Sequence, residues 1–127
     1  MTPLAKIFLA LGSIGMFLAV ALGAFGAHAL KQTLAPELMA TYETAVNYHF
    51  IHALGLLAVG LLALHLPASG TLRWAGILMA AGLLLFSGSL YALSLSGIRG
   101  LGVLTPMGGV ALLAAWLLLA VAVVRAD

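Results

Sequence analysis

The chain contains four runs of apolar residues, each long enough to cross a lipid bilayer as a helix. They cover residues 7–27, 46–66, 72–95 and 105–124. A bilayer core of about 30 Å needs roughly 20 apolar helical residues per crossing, because an unpaired backbone amide is too costly to leave in lipid. The runs predict an all-α integral membrane four-helix bundle with up-and-down topology, built as one transmembrane domain over residues 1–127.

Composition agrees with a membrane protein and argues against several other classes. Only 6% of the residues are charged, and the mean hydropathy is +1.24. Five basic and three acidic residues give a net charge of +2 without a basic patch, so we expect no nucleic-acid partner. The chain has no cysteine, which excludes disulfides, thiolate chemistry and cysteine-based zinc sites.

The links between the spans differ in length. Residues 67–70 and 97–102 are typical of tight turns between antiparallel helices. Thr105 and Pro106 are typical of an N-cap and the first helical residue that follows it. Residues 30–45 form a longer connector, and Pro36 within it favours a helix start. This connector is either an interfacial helix or an extension of span two beyond the membrane.

Small residues recur at every fourth position in two of the spans. They are Gly15, Ala19, Gly23 and Ala27 in span one, and Gly88, Ala92 and Ser96 in span three. Such a narrow helix face allows close approach of a neighbouring backbone. We interpret both faces as ordinary packing surfaces rather than as dedicated dimer motifs.

Basic residues divide almost evenly between the two membrane faces. Up-and-down threading places Lys6, Arg73 and Arg125 on a first face and Lys31 and Arg99 on a second face. Basic residues prefer the cytoplasmic side. The ratio of three to two therefore favours termini in the cytoplasm of a multi-pass membrane protein.

Polar residues concentrate on the second face or within about two turns of it. This candidate polar cluster contains His28, Glu43, Asn47, Tyr48, His49, His52, Ser87, Tyr91, Ser94 and Arg99. At about 100° per residue, Tyr48, His49 and His52 share one arc of span two, and Glu43 and Asn47 lie opposite. Polar side chains that lie one or two turns inside the membrane should contact protein or water rather than lipid.

The histidines admit three interpretations. They can link helix ends through hydrogen bonds to hydroxyl groups or backbone carbonyls. His28, His49, His52 and Glu43 can hold a metal, since imidazole and carboxylate suit zinc or iron. His28 and His52 can ligate a haem within a four-helix bundle. The first interpretation is favoured because no metal motif supports the others, and we predict neither a metal nor a cofactor.

The remaining polar residues also permit two interpretations. Glu43, Asn47, Tyr91 and Arg99 form either an interfacial hydrogen-bond belt or a cavity for a small polar ligand or a lipid headgroup. The stripe of Ser87, Tyr91 and Ser94 is more typical of helix-to-helix hydrogen bonds than of a permeation path.

An enzyme is the least supported class, because the sequence has no nucleophile beside a base, no carboxylate pair and no phosphate loop. We therefore predict no catalytic residues. A structural or interaction protein is favoured, in contact with the lipid bilayer, as a homo-oligomer or with another membrane protein. Binding or transport of a small polar ligand, through a polar cavity open to one leaflet, is the alternative.

Four segments in the same order resemble a known family. They are GAFGAHAL at 23–30, TAVNYHFIHAL at 44–54, FSGSLYALSLSG at 86–97 and LTPMGG at 104–109, followed by Trp116. Together they resemble the YgdD-like family of small four-span membrane proteins, a domain of unknown function. The resemblance covers essentially the whole chain and implies a four-helix membrane unit without assigned biochemistry, which in bacteria lies in the inner membrane, the cell membrane. It also implies that the family's histidines fall on His28 and His52, whereas His49 and Asn47 stand where glutamine is expected.

Overall fold

The computed structural model describes residues 1–127 and is helical throughout, with no strand. The helices are α1 (Pro3–Phe25), α2 (Pro36–His65), α3 (Gly70–Ser96) and α4 (Leu104–Val124). A π-helical turn, Gly26–Leu30, continues α1, and a 3-10 turn, Arg99–Val103, precedes α4. With these turns included, four segments are long and apolar enough to cross a membrane. The expected all-α fold with four spans is thus confirmed.

Two local expectations are settled by the helix boundaries. The connector does not form a separate interfacial helix, because α2 runs without a break from Pro36 to His65. At about 1.5 Å per residue its 30 residues measure about 45 Å, which exceeds the hydrocarbon thickness of a bilayer. The expected N-cap at Thr105 was wrong, since Val103 is the N-cap residue and Thr105 lies inside α4.

Local chemistry explains where the helices start and stop. The Thr2 side chain accepts a hydrogen bond from the Ala5 amide at the start of α1, and the Ser69 side chain accepts from the Leu72 amide at the start of α3. These bonds satisfy amides that have no partner within their helices. Gly97 ends α3 with a φ of 73°, a left-handed conformation that favours glycine.

The helices pack in chain order. α1 lies against α2, α2 against α3, and α3 against α4, whereas α1 and α4 share no extensive contact. α2 and α3 therefore form the centre of the molecule, and α1 and α4 are its two edges.

Glycines bring the two outer helix pairs into close backbone contact. A Cβ atom added at Gly12 would lie 2.8 Å from the Leu57 backbone nitrogen, and one at Gly60 would lie 2.8 Å from that of Leu9. A Cβ added at Gly108 would overlap the backbone of Phe86 in α3. Only glycine permits these approaches, so the sequence positions of the glycines fix how each pair of helices meets.

The half of the molecule toward the first face is an apolar core. All four helices contribute buried residues to it, including Phe8, Val59, Leu72, Met79 and Leu119. Phe8 reaches across to Gly76 of α3, where an added Cβ would overlap its ring. This half therefore holds the helices together by close packing, because dispersion contacts replace the hydrophobic effect inside lipid.

We expect Gly108→Ala to destabilise the protein and Gly88→Ala to leave it nearly unchanged. The added methyl group meets the Phe86 backbone in the first variant and nothing within 4 Å in the second. Overpacking of this kind typically costs about 1–3 kcal/mol. Thermal unfolding of both purified variants in the same detergent measures the difference, and equal stability would contradict the close α3–α4 contact.

Candidate functional site

Two side-chain hydrogen bonds connect the central helices, α2 and α3. The Ser87 hydroxyl of α3 donates to the Ala45 backbone carbonyl of α2 at 2.8 Å. The Nδ1 atom of His49 lies 2.9 Å from the Tyr91 hydroxyl oxygen. Ser87 and His49 are 2% and 7% exposed, so these bonds replace solvation that lipid cannot supply.

Tyr42 extends the network from α2 to α1. Its hydroxyl group donates a short hydrogen bond to the Leu22 carbonyl near the end of α1. Its ring packs edge-on against Tyr91, with centroids 5.3 Å apart, and occupies the space that a Cβ on Gly26 would need. The π-helical turn thus begins where Tyr42 docks, and small residues there give the ring its room.

His52 has a hydrogen-bond partner at both ring nitrogens. Its Nδ1 lies 2.7 Å from the Tyr48 backbone carbonyl, and its Nε2 lies 3.1 Å from the Trp116 indole nitrogen of α4. A carbonyl only accepts and an indole N–H only donates. His52 therefore carries its proton on Nδ1 and accepts at Nε2, which leaves no lone pair for a metal.

Other hydroxyl groups of α3 also make hydrogen bonds. The oxygens of Ser89 and Thr105 lie 2.7 Å apart and link α3 to α4. Ser94 donates to the Tyr91 carbonyl of its own helix. Each consecutive pair of spans is thus joined by at least one side-chain hydrogen bond, and Trp116 adds a link from α4 to α2.

The polar network reaches deeper than the sequence indicated. Trp116 lies twelve residues beyond the start of α4 at Leu104, or about 18 Å of helix, which is near the middle of the bilayer. The predicted cluster, which lay on the second face or within about two turns of it, therefore did not include this deeper part of the network. His49 and His52 lie on one side of α2, as predicted, but they form hydrogen bonds with different helices.

Five of the predicted site residues do not join this network through their side chains. His28, Glu43, Asn47 and Tyr48 are exposed, and none of their side chains makes a hydrogen bond. Arg99 forms an ion pair with Glu37 at 3.8 Å on the exposed surface. Such a pair contributes little to stability because water and salt screen it.

The structure does not bring His28 and His52 together. His28 lies two residues after Gly26, which contacts the ring of Tyr42. His52 lies ten residues after Tyr42 in α2, which is about 15 Å along the helix. Histidine and acidic residues form no group of three suited to a metal ion. The proposed haem pair and four-residue metal site therefore lack the geometry that they require.

Sequence reasoning missed the roles of Tyr42 and Trp116 in the network. The signal for Trp116 was available, because an indole N–H inside an apolar helix needs an acceptor, and the histidines of span two can provide one. Tyr42 gave a weaker signal, since a tyrosine near a membrane surface is ordinarily interfacial.

Two grooves flank the network. One lies between α1 and α3 over α2, encloses about 310 Å³ and is lined in part by Gly15, His49 and Tyr91. The other lies between α2 and α4 over α3, encloses about 550 Å³ and includes His52 and Trp116. Both follow from packing in chain order, which leaves helices two positions apart with few contacts between them.

Comparison with a family model gives one match. The model described as "Protein of unknown function (DUF423)" covers residues 22–109 of the chain. That range includes α2 and α3 completely and the residues of both central hydrogen bonds.

Several curated bacterial proteins are similar over nearly the whole chain. The UPF0382 membrane protein YwdK of Bacillus subtilis is 48% identical over 120 residues, which covers 94% of this chain and 98% of the relative. A UPF0382 membrane protein of Staphylococcus epidermidis is 43% identical, covering 94% and 97%. The UPF0382 inner membrane protein YgdD of Escherichia coli is 39% identical, covering 94% and 91%. No solved structure matches the chain.

We expect Trp116→Phe to destabilise the protein more than Trp74→Phe. The first change leaves the His52 Nε2 atom without its donor, and an unsatisfied buried acceptor costs about 1–3 kcal/mol. Trp74 is 57% exposed and makes no side-chain hydrogen bond, so it is a matched control. Thermal unfolding in detergent measures both, and equal losses would contradict the bond to His52.

Proposed function

Because the chain belongs to the DUF423 family of membrane proteins, whose biochemistry is unassigned, we propose that it acts by contact within the bilayer and not as an enzyme. It is a multi-pass membrane protein of the cell membrane, with four helices that span the bilayer by length and composition. Its partners in this proposal are membrane lipids and a second membrane protein, which includes other copies of the same chain.

The observation that carries the proposal is the self-sufficiency of the polar network. Its buried groups bond to one another or to backbone carbonyls, as in Ser87 with Ala45 and His52 with Tyr48 and Trp116. No buried side-chain nitrogen or oxygen lacks a partner. A reacting group or a permeation path usually keeps polar atoms available for substrate or water. This network instead supports a role in holding the helices together.

The edge helices support an interaction role. Of an 18-residue apolar stretch in the segment that contains α1, 22% is buried within the protein, against 44% of the corresponding stretch in α2. α1 and α4 each have one extensive helix neighbour, so most of their surface faces lipid or a partner. A homo-oligomer formed through these edges remains our prediction.

Ligand binding is the second candidate function. The groove between α1 and α3 has a volume near the lower end of the range for small-molecule sites, and His49 and Tyr91 lie at one end of it. This groove favours a ligand from the bilayer over a polar solute, because nearly all of its lining is apolar.

The double variant His52→Ala with Tyr91→Phe tests the structural role. It removes the α2–α4 link and the bond between His49 and Tyr91, so we expect a clear loss of thermal stability in detergent. Proteoliposomes of the unaltered protein should release a trapped polar solute such as glycerol no faster than empty vesicles. The control is Trp74→Phe, which should match the unaltered protein in both assays.

The opposite pattern would overturn the proposal. It consists of faster solute release by the unaltered protein, abolished in a double variant whose thermal stability is unchanged. That result would assign the polar network to transport.

We also propose that both termini lie in the cytoplasm, on the basis of the three-to-two division of basic residues. The chain has no cysteine, so a single introduced thiol reports sidedness. In intact cells, a membrane-impermeant maleimide should label Gly100→Cys and should not label Ala126→Cys until the membrane is opened. The reverse labelling pattern would invert the topology.

A further inference from the structure

A third groove opens at the first membrane face, between the N-terminal halves of α1 and α3. It encloses about 730 Å³, which is within the range of small-molecule sites. Along α1 its lining runs from Thr2 to Leu11, about 14 Å of helix at 1.5 Å per residue. Half of a bilayer core of about 30 Å has nearly the same depth. The groove therefore spans the leaflet on the first face.

The deeper part of this groove is apolar and open to the bilayer. Phe8 lines it and is buried where its ring reaches Gly76 of α3. Ile7 of α1 and Ile77 of α3 also line the groove and are exposed. Since α1 and α3 have few contacts with each other, the space between them faces lipid and suits an acyl chain.

Arg73 is the only charged residue that lines the groove. It lies three residues after the start of α3 at Gly70, so it marks the end of the groove at the membrane surface. Its guanidinium group is exposed and forms neither an ion pair nor a hydrogen bond within the protein. The N–H donors of this group are therefore available, and their planar arrangement fits two oxygens of a phosphate group.

The net charge of the protein lies on the first face. On the second face two basic residues are balanced by Glu37 and Glu43, and Arg99 forms an ion pair with Glu37. On the first face three basic residues are accompanied by one acidic residue, Asp127. Asp127 lies in a separate pocket together with Arg125 at the end of α4. The formal charge of +2 thus belongs to the first face, and no carboxylate lines the groove.

Helix direction adds to the positive potential beside Arg73. The two helices that flank the groove, α1 and α3, begin at the first face, whereas α2 and α4 end there. The start of a helix carries a partial positive charge and its end a partial negative charge. On the first face the potential is therefore more positive along the groove than at the ends of α2 and α4.

This charge pattern favours a headgroup with a net negative charge over a zwitterionic one. The phosphate group of either lipid can contact Arg73. The cationic part of a zwitterionic headgroup would then lie among positive charges without a carboxylate in the groove to balance it. Basic residues at a membrane surface attract anionic lipids in the same way.

We propose that this groove binds one anionic phospholipid of the leaflet on the first face. An acyl chain lies along Phe8 and Ile77, and the phosphate group binds to Arg73. The proposal rests on the contact function above and deepens it, because it names the class of lipid that the protein contacts. Anionic lipids are characteristic of the cytoplasmic leaflet, which agrees with the proposed position of the termini.

The test uses the purified protein in phosphatidylcholine nanodiscs that contain a trace of photoreactive lipid. The photoreactive lipid is phosphatidylglycerol or phosphatidylcholine, each with a diazirine in the same acyl chain. Photolysis followed by mass spectrometry locates the labelled residues. We expect phosphatidylglycerol to label residues 7–11 and 77–80 about fivefold more than phosphatidylcholine, as for one basic residue at a membrane surface. Both lipids should label residues 110–117 of α4 equally.

Charge variants separate the groove from the general potential of the first face. Arg73→Gln should bring the labelling by the two lipids close to equality, and Arg73→Lys should retain a preference because it keeps the positive charge. Arg125→Gln removes the same charge from the same face beside α4 and should leave the preference unchanged. Arg73 and Arg125 are both exposed, so we expect all three variants to keep the thermal stability of the unaltered protein.

A bulky substitution tests the position of the acyl chain. Ile7→Trp places an indole ring in the groove and should reduce the labelling of residues 77–80 by both lipids. Ile51→Trp is the matched control, because Ile51 of α2 is 52% exposed, against 53% for Ile7, and does not line this groove. It should leave the labelling of residues 77–80 unchanged.

Four results would overturn the inference. They are equal labelling by the two lipids in the unaltered protein, a preference that survives Arg73→Gln, an equal loss of preference in Arg125→Gln, and no labelling of residues 7–11 and 77–80 by either lipid. The third would assign the preference to the surface potential of the whole face. The fourth, together with labelling elsewhere on α1, would assign the groove to a second copy of the chain.

The same samples distinguish failure of this inference from failure of the contact function. If one of these four results occurs and proteoliposomes still release no glycerol, the lipid site is removed and the contact function stands. Faster glycerol release by the unaltered protein would instead overturn the contact function, whatever the lipid preference.

Discussion

The need to satisfy hydrogen bonds without water governs this protein. Lipid offers no partner to a polar group, so a hydroxyl, imidazole or indole buried inside a span needs a partner within the protein, on its own helix or on a neighbouring one. The bonds of Ser87 with Ala45 and of Tyr91 with His49 meet this requirement at the centre of the fold. They also set the rotation of α3 against α2, because a turn of either helix would leave these groups facing acyl chains.

Much of the fold was predictable because membrane spans are defined by length and hydropathy, which can be read from sequence. The four spans and their all-α architecture are confirmed. The π-helical turn was not predictable, since GAFGAHAL is as compatible with a regular helix and the turn depends on a tyrosine sixteen residues after Gly26. The start of α4 differed for a similar reason. Threonine is a common N-cap residue, but the hydroxyl group of Thr105 forms a hydrogen bond with Ser89 instead.

The candidate site was predictable only in part. Helical periodicity shows on which side of a helix a residue lies, but not which residues of other helices it contacts. The periodicity placed His49 and His52 on one side of α2. In the structure His49 bonds to Tyr91 of α3 and His52 bonds to Trp116 of α4. The sequence also grouped His28 with these two histidines, because all three lie near the second membrane face. Depth alone could not show that His28, in the π-helical turn, would be exposed.

Packing in chain order has a consequence for biogenesis. The closest backbone contacts join α1 to α2 and α3 to α4 through Gly12, Gly60 and Gly108, so each helical hairpin contains the surfaces that stabilise it. We expect the first hairpin to insert and pair while the second is still being synthesised, since association of spanning helices follows their insertion. The interface between α2 and α3 then closes last, and it is the one whose formation shields imidazole and hydroxyl groups from lipid.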